Sequence, residues 1–192
     1  CRWRSPIENI NHLNKRINLK DRMELDYLDL ADYTSIYESL KRIKPDYIFH
    51  LAAQSFPKAS FHMRETTYNT NILGTDRLLY AVTQLKIKPV IHVCSSSEVF
   101  GRVNKKDLPI SEKNSFHPAS PYAISKIGTD YIARYYNEAF GLKILVTRMF
   151  THTGPRRGDY FAESSFAKQI ASIELGYQKN IISVGNLKSL RT

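Results

Sequence analysis

Cysteine is scarce in this 192-residue chain, which has only Cys1 and Cys94. Two cysteines suggest neither a disulfide framework nor a cysteine-ligated metal centre. The six histidines, at 12, 50, 62, 92, 117 and 152, show no ligand spacing, so no metal is expected. No apolar run approaches the ~20 residues of a membrane span, and the N-terminus has no signal-peptide pattern. Membranes are therefore not expected partners, and a reducing cytoplasm is the simplest location. Acidic residues are outnumbered, 18 against 28 basic ones, leaving a formal charge of +10. The basic residues are scattered and not interleaved with aromatics, which argues against nucleic acid as a partner. Most of that charge reads as solvated surface, and the rest suits an anionic ligand such as a nucleotide with phosphates. Glycine is also sparse early on, the first being Gly74. No glycine-rich turn follows a first strand, although such a turn is what usually holds a pyrophosphate at a helix N-terminus. The chain thus reads as starting near the end of a second strand. A marginally stable piece that binds dinucleotide poorly is expected.

What is present is alternation of strands and helices. Alternating residues over 23–27 predict a strand ending at Asp29-Leu30. Asp32 is a plausible N-cap for a helix to about Arg42, with Ile36 and Leu40 on its inner face and Pro45 blocking continuation. Tyr47 to Ala52 and the run 89–95 read as buried strands. A long helix is expected from Glu65 to Leu85, striped by Ile72, Leu78, Leu79 and Val82. A helix beginning near Tyr122 should stop at Gly141, followed by a strand over 142–149. A helix over 164–175 and a short strand near Ile181 complete the pattern. Such alternation predicts an α/β fold with a doubly wound, Rossmann-like parallel sheet.

Ligands of open α/β sheets bind beyond the carboxyl ends of the strands. Ser95-Ser96-Ser97-Glu98 stands at such an end. Tyr122 and Lys126, four apart on one helix, point the same way. A phenol is a poor base at neutral pH, and a nearby ammonium favours its phenolate. A hydroxyl at Ser96 can bridge phenol and substrate alcohol. The set suits removing a proton from an alcohol while a hydride leaves its carbon.

Four stretches then carry a resemblance: Leu51-Ala-Ala-Gln-Ser55, Ser95 to Gly101, Ser120-Pro-Tyr-Ala-Ile-Ser-Lys126, and Arg148 with Gly154-Pro-Arg-Arg-Gly158. Together the chain resembles the extended short-chain dehydrogenase/reductases that act on nucleotide sugars. Arg2-Trp-Arg-Ser5, His152 to Gly158, and Val184-Gly-Asn-Leu187 with Arg191 resemble the GDP-mannose 4,6-dehydratase branch. Thr151, Phe100 and Thr192 depart from the branch pattern, which often has Asn, Tyr and Asp there. The resemblance implies a dinucleotide-binding domain over 1–149, its first β-α-β portion missing, and the start of a nucleotide-sugar domain over 150–192. It implies catalytic roles for Ser96, Glu98, Tyr122 and Lys126. It implies cofactor contacts from Asp29, Leu30, Leu51, Ala52, Ala53, Tyr122, Lys126 and His152. Arg2 and Arg4, near the end of a second strand, favour the 2′-phosphate of NADP, with NAD possible. Substrate contacts fall to Gln54, Ser55, Ser97, Arg157, Asn186 and Arg191. The implied reaction converts GDP-mannose to its 4-keto-6-deoxy form in a homo-oligomeric enzyme. The alternatives are another NAD(P)-dependent nucleotide-sugar epimerase, reductase or decarboxylase, or a non-catalytic nucleotide-binding protein of the same fold.

Overall fold

The computed structural model describes residues 23–187. Arg2, Arg4 and Arg191 lie outside them, and so do the 2′-phosphate contact and the substrate contact expected there. By contacts, residues 24–150 form one compact unit and residues 151–187 belong to a second.

In the first unit the Asp32 carboxylate accepts from the backbone N–H of Thr34 and Ser35 and so caps helix α1, Tyr33–Ile43. The helix ends on Lys44 in the left-handed conformation, one residue before Pro45. The strand expected over 23–27 does not form. Its acidic residues turn instead to α1, where Arg42 pairs with Glu24 at 2.5 Å and Asp26 at 2.7 Å. Three strands, β1 (Tyr47–His50), β2 (Val90–Cys94) and β3 (Lys143–Thr147), run parallel in the order β1-β2-β3.

The single helix expected over 65–85 is three pieces. After the short α2, Pro57–Ser60, come α3 (Arg64–Tyr68), a π-helical turn (Asn69–Leu73) and α4 (Gly74–Gln84). The π turn occurs where the Asn71 carbonyl is taken by two side chains, Thr75 at 2.6 Å and Thr129 at 2.9 Å. Gly74 follows because a Cβ there would stand 2.7 Å from the Cβ of Leu30. Helix α5, Pro121–Phe140, connects β2 to β3. Ser120 caps it by accepting from the Ala123 N–H at 3.0 Å, and Gly141, at φ 65°, ends it.

The register puts Ile48, Ile91 and Ile144 in one row across the sheet and His50, Val93 and Val146 in the next on the same face. That face packs on Ile36, Leu40, Leu78, Leu79, Val82 and Ala133 of the helices. The opposite face, carrying Tyr47, Phe49, Val90 and Leu145, is exposed among the described residues. Strands buried on both sides were expected; here they are buried on one. The apolar run 89–95 contains both the buried Ile91 and Val93 and the outward Val90 and His92, so its continuity hides the alternation.

The second unit contains α6, Ala162–Glu174, close to the expected span. The strand expected near Ile181 is absent. The Gln169 side chain satisfies that backbone instead, donating to the Ser183 carbonyl at 3.1 Å and accepting from its N–H at 2.7 Å.

Candidate active site

Beyond the end of β2 the chain stays tied to β3. The Ser95 N–H donates to the Thr147 carbonyl at 2.8 Å and the Ser97 N–H to the Met149 carbonyl at 3.0 Å. Ser96 is still extended, but Ser97–Phe100 closes into a 3₁₀ turn. The sequence leaves open whether the segment stays extended, with Ser96 and Glu98 sharing a face by alternation, or turns. The turn forms because the Ser96 hydroxyl accepts the Glu98 N–H at 3.2 Å and acts as its cap. The turn ends on Gly101 at φ 55°, where an added Cβ would lie 1.7 Å from the His117 carbonyl oxygen. Only glycine fits there.

Helix α5 brings Tyr122 and Lys126 to this turn. Both are buried, at 9% and 6% exposure. The Ser60 hydroxyl accepts the Tyr122 N–H at 3.1 Å, anchoring the first turn of α5. Ser96 hydrogen-bonds the phenol, and the Glu98 carboxylate is near enough for its charge to act on it. Lys126 Nζ lies 5.9 Å from the Tyr122 ring centroid and donates to the Cys94 carbonyl at 2.8 Å. The fold thus brings together all four residues expected to be catalytic.

Their electrostatics differ from expectation. Burial pushes the Tyr122 phenol above its usual value; the Ser96 hydrogen bond opposes this, and the Glu98 charge reinforces it. An ammonium lowering the phenol was expected. In this state Nζ is turned to the Cys94 carbonyl, and desolvation outweighs the rest. Burial also pushes the Lys126 ammonium down to about 8.

A polar network that sequence reasoning missed lies beneath. Asn71 accepts the Gln54 N–H at 2.7 Å and donates to the Gln54 carbonyl at 3.0 Å and the Ser125 hydroxyl at 2.8 Å. Ser125 in turn donates to the Tyr122 carbonyl at 2.7 Å. His50 meets the Thr75 hydroxyl at 2.9 Å. The available signal was small polar residues four apart on otherwise apolar helices, Asn71 with Thr75 and Ser125 with Thr129. That pattern marks a buried hydrogen-bonded seam. A second missed group is Asp130, fully buried between Arg148 Nε at 2.8 Å and Arg134 Nε at 2.7 Å. Arg148 also covers the Phe116 ring at 4.7 Å.

The other expected site residues take varied positions. Leu51 is exposed, with Ala52 and Ala53 half-buried, just past the end of β1. Gln54 is inside, its side-chain amide donating to the Phe56 carbonyl at 3.1 Å, so it holds the segment rather than facing solvent. Ser55 is exposed and Ser97 half-buried. Asp29 is exposed, and its carboxylate accepts the Ala31 N–H at 2.9 Å. Leu30 is buried under Gly74, which leaves only its backbone for a cofactor. In the second unit the Arg157 guanidinium stacks on Phe161 at 3.8 Å, donates to the His152 carbonyl at 2.6 Å and lies 3.7 Å from Glu163. Arg157 Nε is buried and hydrogen-bonds nothing among the described residues. His152 and Asn186 are exposed.

Known proteins share these features. The chain is 37% identical over 169 residues to a GDP-mannose 4,6-dehydratase of Yersinia enterocolitica, covering 87% of this chain and 45% of that one. It is 34% identical over 186 residues to the Homo sapiens GDP-mannose 4,6 dehydratase, covering 95% and 49%. The chain therefore spans about half the length of the curated relatives it matches. Among solved structures, RMD from Pseudomonas aeruginosa complexed with NADPH superposes with a TM-score of 0.79 at 34% identity, over 84% of this chain and 53% of that one. A dTDP-glucose 4,6-dehydratase from Streptomyces venezuelae with NAD bound gives 0.76 at 25% identity, over 86% and 48%. The GDP-mannose 4,6 dehydratase family model matches residues 2–192. An α/β chain with a parallel sheet, a serine-led turn beyond β2 and a buried Tyr-Lys pair on α5, it belongs to the GDP-mannose 4,6-dehydratase family.

Proposed function

We propose that the protein carrying this chain is an NADP-dependent GDP-mannose 4,6-dehydratase, giving GDP-4-keto-6-deoxymannose. The observation that carries this is the convergence of a hydroxyl, a phenol and a carboxylate. The Ser96 hydroxyl is within hydrogen-bonding reach of the Tyr122 phenol and caps the Glu98 N–H, and the Glu98 carboxylate is near enough for its charge to act on the phenol, on a turn that Gly101 closes. Oxidation at C4 needs the first two groups; elimination of the C6 hydroxyl needs a further base at C5, which is the part Glu98 can take.

The residues fit a nicotinamide cofactor at its ribose end. Lys126 is buried and makes one hydrogen bond, to the Cys94 carbonyl, so its remaining N–H groups suit ribose hydroxyls. A bound nicotinamide supplies the hydride acceptor at C4 and the donor at C6. The protein's own groups handle protons. Tyr122 takes the proton of the C4 hydroxyl, with Ser96 bridging phenol and substrate. The C4 ketone acidifies C5, Glu98 removes that proton and delivers it to the C6 hydroxyl, which leaves as water; when hydride returns to C6, the proton that Tyr122 took from the C4 hydroxyl goes to C5. Burial disfavours the Tyr122 phenolate, so an ammonium closer to the phenol is what the first step requires. Arg157, whose Nε makes no hydrogen bond and meets Glu163 only at 3.7 Å, suits the nucleotide phosphates. NADP is preferred over NAD on the strength of Arg2 and Arg4, and NADPH accompanies the RMD relative. Cytoplasmic residence suits the free thiol of Cys94.

The same reading includes self-association. Ile124, Tyr131 and Tyr135 recur at helical spacing on α5, and all are exposed. Leu73 and Tyr80 do the same along the neighbouring π turn and α4. A second copy of the chain would cover this face. Sedimentation should report a dimer or larger that Tyr131→Glu with Tyr135→Glu reduces to monomer; unchanged mass would exclude this face.

The test of the chemistry is Glu98→Gln in the natural gene product. It should cut 4-keto-6-deoxy product about a hundred- to ten-thousandfold while C4 hydride transfer, read as reduced-cofactor absorbance in a single turnover with GDP-mannose, persists. Tyr122→Phe should slow both. Deoxy product at the wild-type rate from Glu98→Gln would remove the basis of the assignment.

A further inference from the structure

A sizeable pocket lies away from the Ser96–Tyr122 pair. It is a half-open hollow lined by residues of 102–117, the excursion between the 3₁₀ turn and α5, with Arg102, Lys106 and Lys113 exposed around it, and has a volume of about 480 Å³. The ends of this excursion meet. The His117 N–H donates to the Val99 carbonyl at 3.0 Å, and Gly101 presses against His117. It is therefore an Ω-type loop, packed on itself. Its floor is hydrogen-bonded: Asn114 Nδ2 donates to the Asp107 carbonyl at 3.0 Å, and Asn114 Oδ1 accepts the Ser111 N–H at 2.8 Å. The cavity is thus formed before any ligand arrives.

Its lining is strongly basic. Arg102, Lys106 and Lys113 contribute three positive charges, and Asp107 is the one carboxylate lining it. None of the three cations makes an ion pair among the described residues, although carboxylates at Asp107 and Glu112 belong to the same loop. Elsewhere among the described residues Arg42, Arg134 and Arg148 reach carboxylates, while Arg77 bonds the Leu30 carbonyl and Asn69. Three like charges around one polar hollow repel one another, and an anion with more than one charge relieves that repulsion. The volume exceeds what a single monovalent ion fills and falls in the range of small-molecule sites.

We propose that the 102–117 loop is a binding site for a diphosphate group, separate from the reaction centre. Arg102, Lys106 and Lys113 hold its oxygens, and the hydroxyls of Ser111 and Ser115 border it. Two sources share that chemistry: a free nucleoside diphosphate, and the diphosphate of a second nucleotide-sugar molecule, distinct from the one whose phosphates Arg157 suits.

Calorimetric titration of the natural gene product with inorganic pyrophosphate tests the site. Saturable binding in the micromolar to millimolar range is expected, weakened about tenfold or more by the Lys106→Gln, Lys113→Gln double variant. Arg102→Gln, tested separately, should weaken it in the same direction. Lys41→Gln, a surface control on α1, should leave it unchanged. Unaltered melting temperatures keep the loss from being one of folding. Tyr122→Phe and Glu98→Gln should bind pyrophosphate normally, which separates this result from the fate of the proposed activity. GDP and GDP-mannose, competed against pyrophosphate, distinguish the two sources. No saturable binding, or equal affinity in the double variant and the wild type, overturns the proposal.

Discussion

His50 lies beneath the site with 7% exposure, against Thr75 and within the field of Lys126. Burial first, and that positive charge second, push its pKa from 6.5 to about 4. The unfolded chain therefore takes up a proton near pH 6.5 that the folded chain refuses until about pH 4. Stability should fall as pH drops through this window, by on the order of 3 kcal/mol in full. His50→Gln removes the titration, so its melting temperature should vary less between pH 7 and pH 4. Lys126 works at the other end. Its folded pKa of about 8 lies below the unfolded 10.5, so the cost of a buried charge is full below pH 8. That cost is relieved as pH rises, and Lys126 should favour the fold increasingly between pH 8 and 10.5. Lys126→Met should abolish that alkaline slope in melts across the range. Tyr122, Lys126, Ser96 and Glu98 were legible because their chemistry is local: helical spacing and a strand end place them. The charge states were not, because desolvation is a property of the folded surroundings. Asn71 and Asp130 were missed for a related reason, since their partners lie 54 and 18 positions away.

Helix ends were the most readable elements. Asp32 and Gly141 act through their own neighbours, and each bounds a helix as its chemistry dictates. The π turn at Asn69–Leu73 was not readable, because it answers to Thr129 on another helix. The strand expected over 23–27 failed in the same way: alternation describes a face but supplies no neighbouring strand. Arg148 shows what joins elements here. It links the end of β3 to Asp130 on α5, to the Glu112 carbonyl at 3.0 Å and to the Phe116 ring. Arg148→Met leaves a fully buried carboxylate with only Arg134, and should cost about 3–5 kcal/mol in denaturant unfolding. Arg148→Met with Asp130→Asn should recover part of that loss, since the unpaired charge goes with its partner.

At the scale of the molecule, the sheet has a dry face and a wet one. Phe49 is 68% exposed and Leu145 59%, in one row with His92 between them. Apolar rings on a strand flanked by unpaired backbone invite association. The isolated 192-residue chain should scatter light at micromolar concentration, and Phe49→Lys with Leu145→Lys should lower that scattering without lowering the melting temperature. Retained scattering would place the sticky surface elsewhere, the α4–α5 face being the next candidate.

The closed neck of the 102–117 loop has a consequence for how this protein can be rebuilt. Because Val99 and His117 are joined beneath it, and Arg148 holds Glu112 and Phe116 on its far limb, the stretch near Asn104 is the part of the excursion that bears least on the site. Chain ends could be opened at Asn104, with the natural ends joined elsewhere, and the serine-led turn and the tyrosine helix would keep their places.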